Sequence, residues 1–117
     1  MDRAELIAAF AAIANPAPRP LNLPEFPGAC ARVQTTGGQS ETVEALRKFD
    51  AADGRGNART LAMILCDADG NLIFDIDNKE HVEILNGLPS IVSNAIFKAS
   101  NEANSVRIED EEDPKKA

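Results

Sequence analysis

Leu61-Ala62-Met63-Ile64-Leu65-Cys66-Asp67-Ala68-Asp69-Gly70-Asn71-Leu72-Ile73-Phe74-Asp75 is the segment on which the reading of this chain turns. An apolar run of helical character stops at an Asp-x-Asp-Gly turn. An extended piece, Leu72 to Phe74, follows, and then a new helix start. Asp-Gly and Gly-Asn pairs form turns because Gly tolerates positive φ and Asx side chains bond back to the main chain. Asp67, Asp69, Gly70 and Phe74 are therefore expected to build a structural corner. In an extended segment Leu72 and Phe74 share a side, which predicts Phe74 as a core residue on the Leu61/Leu65 face.

Two chemical readings of the corner fail on spacing. An EF-hand loop needs oxygen ligands at positions 1, 3 and 5, Gly at 6 and a bidentate Glu at 12. With Asp67 first, Asp69 and Asn71 fall correctly, but position 6 is Leu72 and position 12 is Asn78. No metal is expected at Asp67 and Asp69. Carboxylates crowded as Asp67, Asp69, Asp75 and Asp77 are can shift a pKa and create acid–base chemistry. No His, Cys or Lys stands beside them at ligand spacing, and the single histidine, His81, lies in a charged helical segment with no nucleophile nearby. Asp53-Gly54-Arg55-Gly56-Asn57 lacks the Lys-Ser/Thr of a phosphate loop. The expectation is a protein without catalytic residues or cofactors.

At 117 residues the chain makes one domain at most. Nineteen of its apolar residues are Ala, which leaves 32 larger ones, and there is no Trp or Tyr. Apolar burial contributes roughly 25 cal/mol per Å², so a core this thin favours a chain that finds help in self-association or a partner. The net charge of −7 argues against nucleic acid, whose phosphates would repel it. Cys30 and Cys66 lie far apart in sequence among apolar residues and read as buried small hydrophobes in a reducing cytoplasm. Leu6 to Ala14 has the look of a short leader core, but Asp2 and Glu5 cancel the charge a leader needs, and no apolar run reaches membrane-span length. A cytoplasmic location with no membrane is expected.

Along the chain, residues 2–14 predict a helix with Asp2 as N-cap and Leu6, Phe10 and Ile13 on one stripe. The rest of its surface is mostly Ala, so the stripe suits docking on a neighbour, and these three residues are the candidates for homo-oligomer contact. Five prolines from Pro16 to Pro27 keep the next segment extended. A hairpin is expected from Leu21–Leu23 and Ala29–Thr36, ended by Gly37-Gly38. Ser40 then caps a helix to Asp50, with Val43, Leu46 and Phe49 on one face. Ala51 to Gly56 reads as a mobile loop, and Asn57 caps a helix through Cys66. Asp77-Asn78-Lys79-Glu80 resembles a capping box, with the helix closing on a left-handed Gly87. Pro89 begins a last helix whose buried face is Val92, Ala95, Ile96 and Ala99. The fold class is thus α+β, mainly α, with about five helices and one short N-terminal β-hairpin. Its parts are residues 1–19 as helix and Pro-rich linker, 20–104 as the main domain, and 105–117 as a disordered acidic tail.

The order of these parts resembles the small tail assembly chaperones of long-tailed bacteriophages and prophages. The likeness rests on Leu65-Cys66-Asp67-Ala68-Asp69-Gly70-Asn71-Leu72-Ile73-Phe74 after an apolar helix, and on two helices split at Gly87-Leu88-Pro89. It covers about residues 20–104, and helix 2–14 has no counterpart in it. The resemblance implies a non-enzymatic role: coating the long helical tape-measure protein before the tail tube polymerises, and recruiting tail-tube subunits. The competing expectation is a small acidic protein–protein adaptor or regulatory module unrelated to phage, with a calcium-dependent protein third. The same family implies a longer product made by a backward ribosomal slip near the end of the short reading frame. Pro114-Lys115-Lys116 permits it through a proline codon ending in A followed by AAA and AAG. Two readings of the end stay open: a gene that carries that run over codons 114–116 with an overlapping frame beyond it, or a plain charged, solvated terminus, as other lysine codons would give; sequencing this region decides the point.

Overall fold

The computed structural model describes residues 1–104, so the acidic tail from 105 onward lies outside the described residues. Five α-helices surround a small antiparallel sheet, which is the α+β, mainly α class expected: α1 (Arg3–Ile13), β1 (Arg19–Pro20), β2 (Cys30–Ala31), α2 (Thr36–Arg47), α3 (Gly56–Ile64), β3 (Leu65–Cys66), α4 (Lys79–Asn86) and α5 (Ser90–Ala103). A single 3-10 turn, Ala51–Asp53, precedes α3. The strand order is β1-β2-β3, with Pro20 opposite Cys30, Cys30 opposite Cys66 and Ala31 opposite Leu65.

The sheet exists because α3 runs into β3 without a connecting residue. Leu65 ends the helix with its N–H bonded to the Leu61 carbonyl, yet its own backbone is already extended at φ −74°, ψ 127°. The carbonyls left open at a helix C-terminus need partners, and Arg32 supplies them. Its main-chain N–H donates to the Ile64 carbonyl at 3.0 Å and its Nη1 to the Met63 carbonyl at 3.3 Å, a cation at the favourable end of the helix dipole. Asn104 closes α5 onto the same place: its Oδ1 accepts from the Gln34 N–H at 2.6 Å, while Nδ2 donates to the Arg32 and Ser100 carbonyls.

The core sits between the sheet, α3, α4 and α5, with Leu61 and Ile96 as its largest fully buried side chains. Ala31, Ala58 and Ala62 are buried around them, small groups that let the elements approach closely. At the edge of α3, Arg59 is buried; it pairs with Asp53 and lies over the Phe49 ring with 4.2 Å from guanidinium carbon to centroid. Arg55 makes a two-pronged bond to Glu83 of α4 at 2.6 and 3.2 Å.

Several local expectations are corrected. The first strand lies at Arg19–Pro20 and not at Leu21–Leu23, because Asn22 breaks the extended run at φ +58° directly after the buried Leu21. The Gly37-Gly38 pair does not end a strand; it forms the first turn of α2, capped by the Thr35 side chain accepting from the Gly38 N–H at 2.9 Å, not by Ser40. Buried Gly38 fits because an added Cβ would meet the Thr35 hydroxyl at 2.9 Å. Arg55, not Asn57, stands at the N-cap of α3. The cap of α4 is Asn78, whose side chain accepts from the Glu80 and His81 N–H groups, and Asp77 pairs instead with Lys48 at 2.6 Å. Gly87 is right-handed, φ −86°, with its N–H on the Glu83 and Ile84 carbonyls, so no left-handed cap forms. Segment 51–56 is not a free loop, since Asp53 holds both arginines. Cys30 and Cys66, distant in sequence, are direct cross-strand partners, both buried and free.

Leu61→Ala is expected to lower stability by about 2–5 kcal/mol, the usual cost of a cavity in a packed core. Ile91→Ala, at a side chain 78% exposed, should stay within about 0.5 kcal/mol. Urea unfolding of the two variants measures both.

Candidate functional site

The Asp67 corner is built from its own backbone. Asp67 Oδ1 accepts the N–H groups of Asp69 and Asn71, each at 2.9 Å, and Gly70 turns the chain at φ +89° with its N–H on the Asp67 carbonyl. The Asn71 N–H first of all, then that of Asp69, holds the Asp67 carboxyl below its usual value against the effect of burial. Oδ1 is thus engaged by the turn, and Oδ2 accepts from Asn71 Nδ2 at 3.5 Å. Asp69 is exposed. Beyond the turn, the Asp75 N–H donates to His81 Nδ1 at 2.9 Å, and the His81 ring meets Phe74 edge-on at 5.7 Å between centroids. The lone histidine thus accepts a main-chain hydrogen bond at Nδ1.

Phe74 is half-buried rather than core: one side packs on the central cluster and the other opens into a groove. Leu72 does not accompany it inward and is 41% exposed. The Leu72–Phe74 stretch is not a regular strand, because only Leu72 bridges back, to Cys66.

The groove encloses about 400 Å³, within the range of sites that receive several apolar groups. Leu65, Leu85 and Ile96 form its floor; the Phe26–Ala29 turn stands on one side, with Ile73, Phe74, Ile84 and Leu88 around the rest. None of its lining side chains is charged or polar. Ile73 and Ile84 are about half-exposed, so the groove continues as an apolar rim over the surface. Sequence reasoning missed it, since its walls come from three separated segments. The signal available was Ile84, an apolar residue off the buried Val82/Leu85 face of α4.

The second exposed apolar feature is α1. A capping box fixes its start, with Asp2 Oδ1 accepting from the Glu5 N–H at 2.8 Å and Glu5 Oε1 from the Asp2 N–H at 3.0 Å. No residue of α1 is buried; Leu6, Ile7, Phe10 and Ile13 are 45–74% exposed. The candidate contact residues Leu6, Phe10 and Ile13 thus stand uncovered on an arm, and they are not brought together with the Asp67 corner. The radius of gyration of 16.6 Å exceeds the roughly 13 Å of a compact chain this long, as an arm requires.

Among the described residues, no three His, Cys, Asp or Glu side chains group as metal ligands, and no helix is long and apolar enough to cross a membrane. Comparison of the chain with protein-family models, curated proteins and solved structures found no match.

Among the described residues, three carboxylates bear on the acid behaviour. Asp53 is held below its ordinary value by Arg59 and then by the Arg55 N–H, Glu83 by Arg55, and Asp67 by its turn. A carboxylate with a lowered folded pKa adds stability above its unfolded pKa and loses it as pH falls through the folded one. Stability is therefore expected to lose these contributions below the ordinary values of 3.8 for Asp and 4.5 for Glu. Asp67→Asn, which keeps an acceptor oxygen and removes the titration, should make the acid decline shallower in urea midpoints measured against pH.

Proposed function

We propose that this protein is a non-enzymatic tail assembly chaperone of a long-tailed phage or prophage, which holds the tape-measure protein before tube polymerisation and helps recruit tail-tube subunits. The observation that carries the reading is the uncharged groove with its apolar rim. A long helical client needs its apolar stripe covered until its final partners arrive, and a groove of this kind receives residues at i, i+3, i+4 and i+7 from such a helix. The net charge of −7 supports it from another side: an acidic surface keeps the protein soluble when an apolar face is uncovered, and keeps it off DNA. The resemblance of residues 20–104 to this chaperone family supplies the name of the client.

The same groove would serve an acidic adaptor unrelated to phage, and the neighbourhood of the gene separates the two. The chaperone reading requires a tail-tube gene upstream and a very long tape-measure gene downstream. With those genes in hand, overlapping peptides of the encoded tape-measure protein are expected to bind the purified chain. Ile84→Asp, on the exposed rim, should weaken that binding by tenfold or more, which is about 1.4 kcal/mol or above. Peptide binding followed by calorimetry checks this, and a complete set of peptides that all fail to bind removes the tape-measure assignment.

A further inference from the structure

The arm and the groove are each apolar, each uncovered, and of matching kind. We infer that α1 of one copy docks in the groove of a second copy, and that two copies exchange arms reciprocally. The inference concerns the free protein and rests on the groove as a docking surface, not on the identity of any client.

Four observations select a second copy as the occupant. First, α1 has eleven residues and buries none of them, whereas isolated helices shorter than about 12–15 residues are marginal in water; its capping box is well formed, but its apolar surface, which runs around the helix and includes Ile7, is uncovered within its own chain. Second, Leu6, Phe10 and Ile13 recur at i, i+4 and i+7, the anchor spacing with which a helix enters a groove.

Third, the arm leaves the body at a held point. Pro16 and Pro18 lie in a crevice with Arg32, Val33, Asp69 and Gly70, and Asn15 at φ +57° sets the direction in which α1 departs. Proline fixes its own φ and restricts the residue before it, so the linker is stiff where α1 leaves the body. Fourth, the areas fit a two-armed exchange. One contact between the exposed apolar side chains of α1 and those of the groove and its rim is smaller than the roughly 1,200–2,000 Å² of stable interfaces, and a reciprocal pair doubles the buried area. A reciprocal pair is also closed by two-fold symmetry and leaves no arm or groove open.

Charge does not drive this contact. Two copies of net charge −7 repel at long range, and the groove lining carries no charged group. Association should thus persist or tighten as salt is raised, because screening removes the repulsion and leaves apolar burial intact.

Sedimentation velocity and light scattering on the full chain, from micromolar to millimolar concentration, test the proposal. A concentration-dependent two-subunit species is expected. Phe10→Asp on the arm and Ile84→Asp on the groove rim should each weaken it by at least tenfold; both side chains are exposed, at 70% and 56%, and circular dichroism is expected to show both variants folded. An equimolar mixture of the two variants contains one intact arm and one intact groove, so it should regain one-to-one pairs at the high end of the range where neither variant pairs alone. If Ile84→Asp associates like the parent, arms pair with arms and the proposal is overturned. A monomer at every concentration overturns it as well, and places α1 free in solution or in its own groove. A mixture that regains nothing also counts against it. None of these outcomes depends on tape-measure peptides, so the self-contact and the chaperone reading fail separately.

Discussion

Arg32 is where the parts of this protein are tied together. Its main-chain N–H and its guanidinium take the last carbonyls of α3, and its carbonyl receives Asn104 from the end of α5. Two helices that end at one residue, directly after β2, cannot slide relative to the hairpin. The strands are only two residues long, too short for a ladder to define the sheet alone. Their register is held instead by helix ends that need hydrogen-bond partners. Opposite this point, Ala31 and Cys66 are fully buried, and their small size lets sheet and helices approach closely enough for those bonds to form.

Close packing around small residues has a consequence for the large ones. The buried core contains no phenylalanine: Phe10 and Phe26 are exposed, and Phe49, Phe74 and Phe97 are half-buried. Four of the isoleucines inside the helical body and its turn tell the same story, with Ile96 buried and Ile73, Ile84 and Ile91 46–78% exposed. A chain with 32 large apolar residues and no Trp or Tyr would be expected to hide its largest groups if monomer stability alone shaped it. Single exposed apolar residues are ordinary. Here Phe26, Ile73 and Ile84 gather at one groove and Leu6, Ile7, Phe10 and Ile13 on one arm, while Val43, Leu72 and Ile91 stand singly; contiguous apolar patches mark interaction surfaces.

Much of the helical content was legible because it rests on local physics. The Asp2 N-cap of α1, the Pro89 start of α5 and the stripe through Ile96 need no tertiary information. The errors fall where tertiary contacts override a local signal. Leu61 to Cys66 reads as one apolar helix, and periodicity cannot tell a buried strand from a buried helix over so short a run; the switch at Leu65 is imposed by β2. Gly37-Gly38 reads as a strand terminator, but Thr35 reaches Gly38 and starts a helix there. Arg59 shows no sign in sequence that it will be buried, since its acceptor Asp53 and its ring partner Phe49 come from outside α3. The corner residues Asp67 and Gly70 were readable because a turn is a local object. The groove was not, because the Phe26 turn, Phe74 and α4 meet only after folding.

The size of the arm bears on what a docked arm would do. An isolated eleven-residue helix is close to the limit of stability, so part of the interaction energy of docking is consumed in ordering α1, as in other coupled folding and binding. A long client helix with the same anchor spacing loses less on ordering and meets more of the rim through Ile73 and Ile84. It therefore has the advantage over α1 for the same groove, although α1 is always supplied with the protein. Reciprocal exchange makes the advantage conditional: displacing one arm leaves the second contact in place, and the copies part only when both grooves are filled. In the proposed chaperone, the self-paired form would cover both apolar surfaces while no client is present, and a client offering repeated apolar stripes would open it in proportion to the number of stripes it brings.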